Sequence, residues 1–583
     1  MNIEELKKRI AELPGGGITL KRIPNKRTGE YYEYTVYQWR ENGKQRSRYL
    51  KGDDIQKMTD LIEERKHLEE QLSQIQSAAI GSLQTYFSNI QTGNILKEFI
   101  QSVTGLRKRE IIHSLEDYVF GNEYNKVFIL YGLRRTGKTT MIKQVISEMT
   151  EEQFSKTAFI QVNASNDLGK LNQDLRRLFD SGYRYVFLDE VTLLEDFIEG
   201  ASLFSDIYAA SGMKIILSGT DSLGFWISKS EELYDRCRKL HTTFIPYREF
   251  ENVLGIKGID TYIQYGGTMS MSGNHYNTFE SKSSTDEYVD SAIAHNIQHS
   301  LKCYQNEGHF RHLFSLYEKN ELTSAINRVV EDINHRFTVN VLMREFKSGD
   351  LSLSARNLRP DNDVLDRIDR DTVTARLKEL LEIKNKSEQT VTVDSVHEIE
   401  IKEYLTALDL IKNIRIADID AFGKYEERTA FTQTGLRYSQ AKSLVEVLMR
   451  DEVFSSLSFN DRKFVTERIM NEIKGRLLED IVLLETAMAN PDKEVFKLHF
   501  ANGEYDMVVF DNQNGGCSIF EIKYNTNVDE KQFRHLIDKE KAKKTEFRYG
   551  EIHGRYVLYR GENTKVDSIQ YLNVEEYLKS IAE

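Results

Sequence analysis

The stretch VFILYGLRRTGKTTMIKQVI, residues 127–146, changes character twice, and those changes set the fold class. Val127 to Tyr131 are apolar or aromatic without alternation, the pattern of a strand buried on both faces. Met141, Ile142, Val145, Ile146 and Met149 recur at helical spacing. Between them, Gly132 and Gly137 bracket four residues and are followed by Lys138, Thr139 and Thr140, giving G-x-x-x-x-G-K-T. A glycine-rich turn at a helix N-terminus presents backbone N–H groups to phosphate oxygens. Lys138 is placed to neutralise β- and γ-phosphates, and Thr139 to ligate Mg²⁺. Gly132, Gly137, Lys138, Thr139 and Thr140 are therefore expected to bind ATP with Mg²⁺.

Hydrolysis asks for more than binding, and the chain continues with YRYVFLDEVTLLEDF. Tyr185 to Leu188 predict a second buried strand ending in Asp189 and Glu190, 51 residues after Lys138. Open α/β sheets bind ligands at the carboxyl ends of their strands. There Asp189 suits the Mg²⁺ shell and Glu190 suits polarising the attacking water. A third strand, MKIILSGTDSLGFW, ends in Ser218, Gly219 and Thr220, small polar residues able to touch a γ-phosphate or the water. Arg236 and Arg238 follow; either could supply charge to the transition state in cis or across a subunit boundary, and either could equally be a solvated surface residue.

These residues carry a resemblance. GLRRTGKTT, the FLDE strand, the LSGTDS strand, an arginine before PYREF, and YIQYGG at 262–267 resemble the bacterial and archaeal AAA-type ATPases that carry a C-terminal domain of unknown function. The first two motifs are shared by P-loop ATPases in general, and the last two point to this subgroup. The chain departs from the family where Thr268 and Met269 stand in place of its usual phenylalanine-proline pair. The resemblance implies a parallel-sheet core at 93–255, a helical lid at 256–345, and a C-terminal domain like the PD-(D/E)XK nucleases.

The 583 residues suggest three to five domains in an α/β multidomain chain. A formal charge of −12 argues against a uniformly basic nucleic-acid coat. The charge is segregated, however: residues 18–51 hold Lys21, Arg22, Lys26, Arg27, Arg40, Lys44, Arg46, Arg48 and Lys51 against Glu30, Glu33 and Glu41. Within them YYEYTVYQW alternates as a strand, and Asn42-Gly43 reads as a hairpin turn. A small basic β domain at 1–52 is expected. Its cations and aromatic residues suit contact with DNA or RNA, or simply a solvated face. Residues 53–92 read as a helical connector with an apolar stripe at Leu61, Leu68, Leu72 and Ile75 that could pair with a partner helix. Polar residues 269–288 read as a loop. EIKEYLTALDLIKNIRIADI resembles the last helix and wing of a winged-helix module at 346–430. Three scattered cysteines and no signal peptide or membrane-length apolar run predict a cytoplasmic protein with no membrane contact, which a protein partner or oligomerisation could complement.

A second candidate site lies in residues 431–583. GRLLEDIVLLETAMA places Glu479 on an apolar helix, GEYDMVVFD carries Asp506, and CSIFEIKY carries Glu521 and Lys523. Glu521 and Lys523 share one face of a strand because side chains alternate. Asp506 and Glu521 could grip a second Mg²⁺ or Mn²⁺, with Glu479 joining them and Lys523 orienting water. This arrangement looks like the PD-(D/E)XK superfamily, but the same strands serve equally well as a plain core. A nuclease and an inactive binding domain both remain open, the second as part of a nucleotide-dependent interaction switch.

Overall fold

A computed structural model of the chain describes residues 8–10, 12–24, 31–41, 44–78, 89–163, 166–194, 197–220, 233, 235–267, 311–319, 321–347, 393–421, 424–450 and 458–581. The N-terminal strands β1 (Gly17–Pro24), β2 (Tyr31–Glu41) and β3 (Lys44–Tyr49) form an antiparallel sheet in that order. The register brings Glu41 opposite Lys44, as a two-residue hairpin connection requires; the Asn42-Gly43 turn itself lies outside the described residues. The helix Asp53–Ala78 is tied to this sheet. Ile62 joins Tyr37 and Leu50, Leu68 joins Leu13, and Arg65 donates to the Leu13 carbonyl at 2.8 Å. Leu61, expected in the apolar stripe, is exposed instead. Ile62, one residue and about 100° further round the helix, takes the inward position.

The central sheet follows from the buried-strand pattern. Strands β4 (Ile90–Gln91), β5 (Val127–Tyr131), β6 (Thr157–Gln161), β7 (Tyr185–Asp189), β8 (Lys214–Gly219) and β9 (Cys237–His241) lie in the order β4-β6-β7-β8-β5-β9. Only β4 pairs antiparallel. Alternation along β5 shows why it must be apolar throughout. Val127 and Ile129 enter the core beneath helix Leu168–Asp180, whereas Phe128 and Leu130 enter the core beneath helix Lys138–Ser147. A parallel strand covered on both faces has no polar side. The carboxyl end of β5 thus opens one strand in from the edge of the sheet, flanked by β8 and β9.

The C-terminal half is built on an eight-stranded mixed sheet ordered β11-β10-β12-β13-β14-β15-β17-β16. Its strands are β10 (Ile411–Asp418), β11 (Tyr425–Phe431), β12 (Glu494–His499), β13 (Glu504–Asp511), β14 (Gly516–Ile522), β15 (Glu551–Tyr559), β16 (Thr564–Val566) and β17 (Ile569–Asn573). The long helix Phe459–Ala489 precedes three antiparallel strands, β12 to β14; helix Lys539–Tyr549 then crosses to β15, which is parallel to β14. The sheet also runs across the border expected at residue 430. The β10–β11 hairpin, read as a wing, pairs its first strand in parallel with β12, Ile416 opposite Lys497. Most of the remaining winged-helix expectation, like the loop at 269–288, falls outside the described residues. Helices Arg311–Glu318, Leu322–Lys347 and Ser395–Ala407 share one apolar core. Among the described residues no helix is long and apolar enough to cross a membrane.

Candidate functional site

The loop between β5 and helix Lys138–Ser147 is shaped by its glycines. Gly137 caps the helix in the left-handed region, at φ 91°. Gly132, at φ 144°, lies so close to the chain after β9 that a Cβ would stand 2.3 Å from the Thr242 carbonyl oxygen. Lys138 is buried, and its ammonium donates to the carbonyls of Gly132 and Leu133 at 2.8 and 2.7 Å. Burial pushes it down to about 8, against the pull of Glu190 and Asp189. Opposite, Thr139 Oγ1 donates to Asp189 Oδ2 at 2.6 Å. Thr140 is half-buried on the next helical position.

Glu190 leaves the strand at φ 56°, a left-handed conformation uncommon for a residue with a Cβ. Thr220 donates to its Oε2 at 3.1 Å. Burial and the neighbouring Asp189 raise the Glu190 carboxyl above its ordinary value. Ser218 is fully buried, and among the described residues its Oγ has no hydrogen-bond partner. The structure therefore brings Lys138, Thr139, Asp189, Glu190 and Thr220 to one end of the sheet. It does not bring Arg236 or Arg238 there. Cys237 aligns with Val127 at the start of β5, so both arginines lie toward the opposite end of the parallel pair. Arg236 makes paired hydrogen bonds to Asp206 at 2.8 and 2.7 Å, and Arg238 lies 3.5 Å from Glu123 and 3.7 Å from Asp117.

Two contacts of the loop are not signalled by the motif. Buried Arg109 donates to the Thr136 carbonyl at 2.8 Å and to Glu249 Oε2 at 2.6 Å. Leu133 inserts into the apolar core formed by Leu313, Ile326, Leu405 and Leu410 of the following helical region. Glu249 belongs to helix Tyr247–Leu254, whose Tyr247 N–H donates to Glu485 on the long C-terminal helix at 2.8 Å. The YIQYGG segment continues this contact: Thr434 donates to the Tyr262 carbonyl at 2.8 Å, and a Cβ on Gly267 would stand 2.8 Å from Gln433 Cα.

Residues 124–251 match the protein family described as "AAA domain". The chain carries an AAA-type ATPase domain. Residues 2–60 match a second family, a domain of unknown function (DUF6788), across the N-terminal sheet. Solved structures with similarity include the Aeropyrum pernix ORC1 protein in complex with DNA, at 14% identity and a TM-score of 0.21 over 63% of this chain and 99% of that one. A structure on katanin self-assembly matches at 14% identity and a TM-score of 0.21 over 55% of this chain and 94% of that one. No curated protein matches.

The C-terminal residues also converge, but on cations. Lys523 donates to Asp506 Oδ2 at 2.9 Å and Glu521 Oε2 at 2.6 Å, and the Ile522 N–H donates to the same Asp506 oxygen at 2.8 Å. Lys497, which no motif marks, lies 2.9 Å from Glu504, 3.1 Å from Glu479 and 3.6 Å from Asp506. Arg476 donates to both Glu479 oxygens at 2.8 Å. Burial favours the neutral form of Asp506, but Lys523 and Lys497 hold its carboxyl well below the usual range. Burial and Asp506 push Glu521 up to about 8. Among the described residues no group of three or more histidine, cysteine or acidic side chains is placed to hold a metal ion. The expected gathering of Glu479, Asp506 and Glu521 around one ion gives way to pairing with Lys497, Lys523 and Arg476.

Proposed function

We propose that this protein is an Mg²⁺-dependent ATPase that uses its nucleotide loop to reposition a nuclease-like, nucleic-acid-associated C-terminal domain. The observation that carries the reading is the convergence of Lys138, Thr139, Asp189, Glu190 and Thr220 beside a loop that is itself fastened to the rest of the chain. These donors fit a nucleotide with its metal: Thr139 and Asp189 bring two oxygens together, and the Ser218 hydroxyl is buried without a partner among the described residues. Bound there, Mg²⁺ would offset charge on the phosphate oxygens.

Lys138 exchanges carbonyl partners for phosphate oxygens, which favours its charged form by supplying opposite charge nearby. Glu190 turns from Thr220 toward the attacking water and takes its proton, and Thr220 reports that turn. Leu133 and Arg109 carry the loop's displacement outward. Leu133 is seated in the helical core, and Arg109 joins the Thr136 carbonyl to Glu249 and thereby to the helix that contacts Glu485.

The nuclease-like part rests on the order helix, three antiparallel strands, helix, parallel strand, with Asp506, Glu521 and Lys523 together at β13 and β14. A second reading, a binding domain that does not cut, is favoured by the matching of its carboxylates with Lys497, Lys523 and Arg476. Steady-state ATP turnover measured with and without DNA or RNA tests the main reading. Stimulation by nucleic acid supports it; turnover indifferent to nucleic acid and controlled by a protein partner supports the interaction switch instead.

A further inference from the structure

The carboxyl ends of β14 and β15 carry a small cationic cluster that the preceding chemistry does not use. Tyr524 follows Lys523 directly, and Arg560 follows β15, its N–H donating to the Asn525 carbonyl at 2.8 Å. The Arg560 guanidinium lies over the Tyr524 ring at 4.5 Å. Lys474 comes from the long helix, where the next residue, Gly475, lies against Tyr524. Two cations and one phenol therefore face a common point beside the Asp506, Glu521 and Lys523 cluster.

That point is filled from the helix Ile259–Tyr265, which follows residues 124–251 in the chain. Asp260, in the first turn of helix Ile259–Tyr265, receives Lys474 Nζ on Oδ1 at 3.2 Å, the Tyr524 hydroxyl on the same oxygen, and Arg560 Nη2 on Oδ2. One carboxylate here meets two positive charges, and about a third of its side chain is exposed. A planar guanidinium, an ammonium and a hydroxyl around one anion form a donor set that serves a phosphodiester as readily as a carboxylate. Burial works against the charged form of Asp260, yet these partners hold its carboxyl below the ordinary value, so it remains an anion at neutral pH.

We propose that Lys474, Tyr524 and Arg560 form a phosphodiester subsite for nucleic acid and that Asp260 occupies it as an intramolecular stand-in. The inference rests on the reading of the C-terminal domain as nucleic-acid-associated and adds a regulation to it. While Asp260 is seated, the cluster beside Lys523 is closed to backbone phosphate. When Asp260 leaves, the cluster opens with a net gain in positive charge. Helix Ile259–Tyr265 also contacts the C-terminal region through the Glu575 carboxylate, which accepts from the Ile259 N–H at 3.1 Å, and through Thr434 at Tyr262. The same helix shares an apolar core with Tyr247 and Phe250 of helix Tyr247–Leu254, so movement of that helix bears on the seat.

The test is binding of labelled oligonucleotides of equal length to the full chain, without nucleotide or divalent metal, followed by anisotropy at low and moderate salt. Duplex DNA, single-stranded DNA and single-stranded RNA form separate arms, and the arm with the largest gain identifies the source of the phosphodiester. Asp260→Asn should tighten binding at least about fivefold, an effect that shrinks as salt rises. Adding Lys474→Ala or Arg560→Ala should cancel the gain. Asp260→Ala, which removes the carboxylate and keeps both cations and the Tyr524 hydroxyl, should give a gain in the same direction; it decides the matter if Asp260→Asn does not fold. Wild-type binding that Asp260→Asn leaves unchanged, or a gain that survives loss of the cations, overturns the stand-in while leaving nucleic-acid association intact. No binding by any variant at low salt overturns both.

Discussion

The nucleotide loop and the C-terminal cluster both bury lysines beside carboxylates, yet their charges are compensated in opposite ways. Lys138 donates to two carbonyls of its own loop, and Ser218 nearby has no hydrogen-bond partner among the described residues. Lys497 and Lys523 donate to carboxylates, which share them closely. On the proposed function the first arrangement is completed by an anionic ligand from outside; the second is already close to balance. A buried charge without a counter-charge is costly, so a site that leaves one open is built around what it binds.

The largest effect should appear where the open site does chemistry. Glu190→Gln should retain nucleotide binding and lose about 10²–10⁴-fold in turnover, since an amide cannot take the proton from water. Lys138→Ala should weaken nucleotide binding itself, because the ammonium meets phosphate before any bond changes. Steady-state rates and nucleotide titration separate the two variants. Equal turnover in wild type and both variants would remove the open site from the comparison.

The closed site should respond in stability. Asp506→Ala leaves Lys497 and Lys523 buried with less counter-charge, and breaking such a pair costs about 3–5 kcal/mol. Denaturant unfolding of the variant should show a loss of that order in the C-terminal transition, whereas Glu190→Gln should show little. An Asp506→Ala variant that unfolds like wild type but gains or loses metal-dependent cleavage would turn the cluster into a second open site.

The loop and the three strands around it were legible because each signal is local. An apolar run, two glycines at fixed spacing and the Lys-Thr pair all act within one supersecondary unit. The same holds for Asp506, Glu521 and Lys523, where strand alternation and a short hairpin set the meeting. Arg109, Lys497 and Asp260 were not legible. Arg109 meets Glu249 across 140 residues of chain, and Asp260 meets Arg560 across 300, so no periodicity near either residue carries the contact. The balanced state of the C-terminal cluster was missed for the same reason: Lys497 looks like an ordinary polar position in EVFKLH until β12 is placed beside β13.

The junction between the two regions offers a pH test of intermediate size. Glu485 is fully buried on the long helix, and burial pushes its carboxyl up to about 8 from an ordinary 4.5, although the Tyr247 N–H favours the charged form. A raised folded-state value means that its contribution to stability is full below about pH 4.5 and is lost as pH rises through 8. Glu485→Gln should flatten the fall in stability between those limits, by a few kcal/mol at most at ~1.4 kcal/mol per pH unit. Unfolding midpoints at pH 5 and pH 8 check it. An unchanged pH slope would place the titration that matters elsewhere in the junction.

The smallest effect is expected from the arginines, and its size sharpens what completes the open site. Arg236 and Arg238 lie toward the far end of the β5–β9 pair from the loop, each beside acidic side chains on its own surface. An arginine that stabilises transferring phosphate within the same chain is worth about 10³–10⁵ in rate, but only when its guanidinium reaches the phosphate. With four residue steps along β5 from Val127 to Tyr131 at about 3.3 Å each, neither side chain starts close to it. Arg236→Ala and Arg238→Ala should therefore keep ATP turnover within about twofold of wild type at low protein concentration, as surface ion pairs of this kind contribute little. Turnover should be measured across a range of protein concentrations for each variant. A deficit that grows with concentration would show that an arginine enters the open site of a neighbouring copy, and the site would then be completed by assembly as well as by nucleotide.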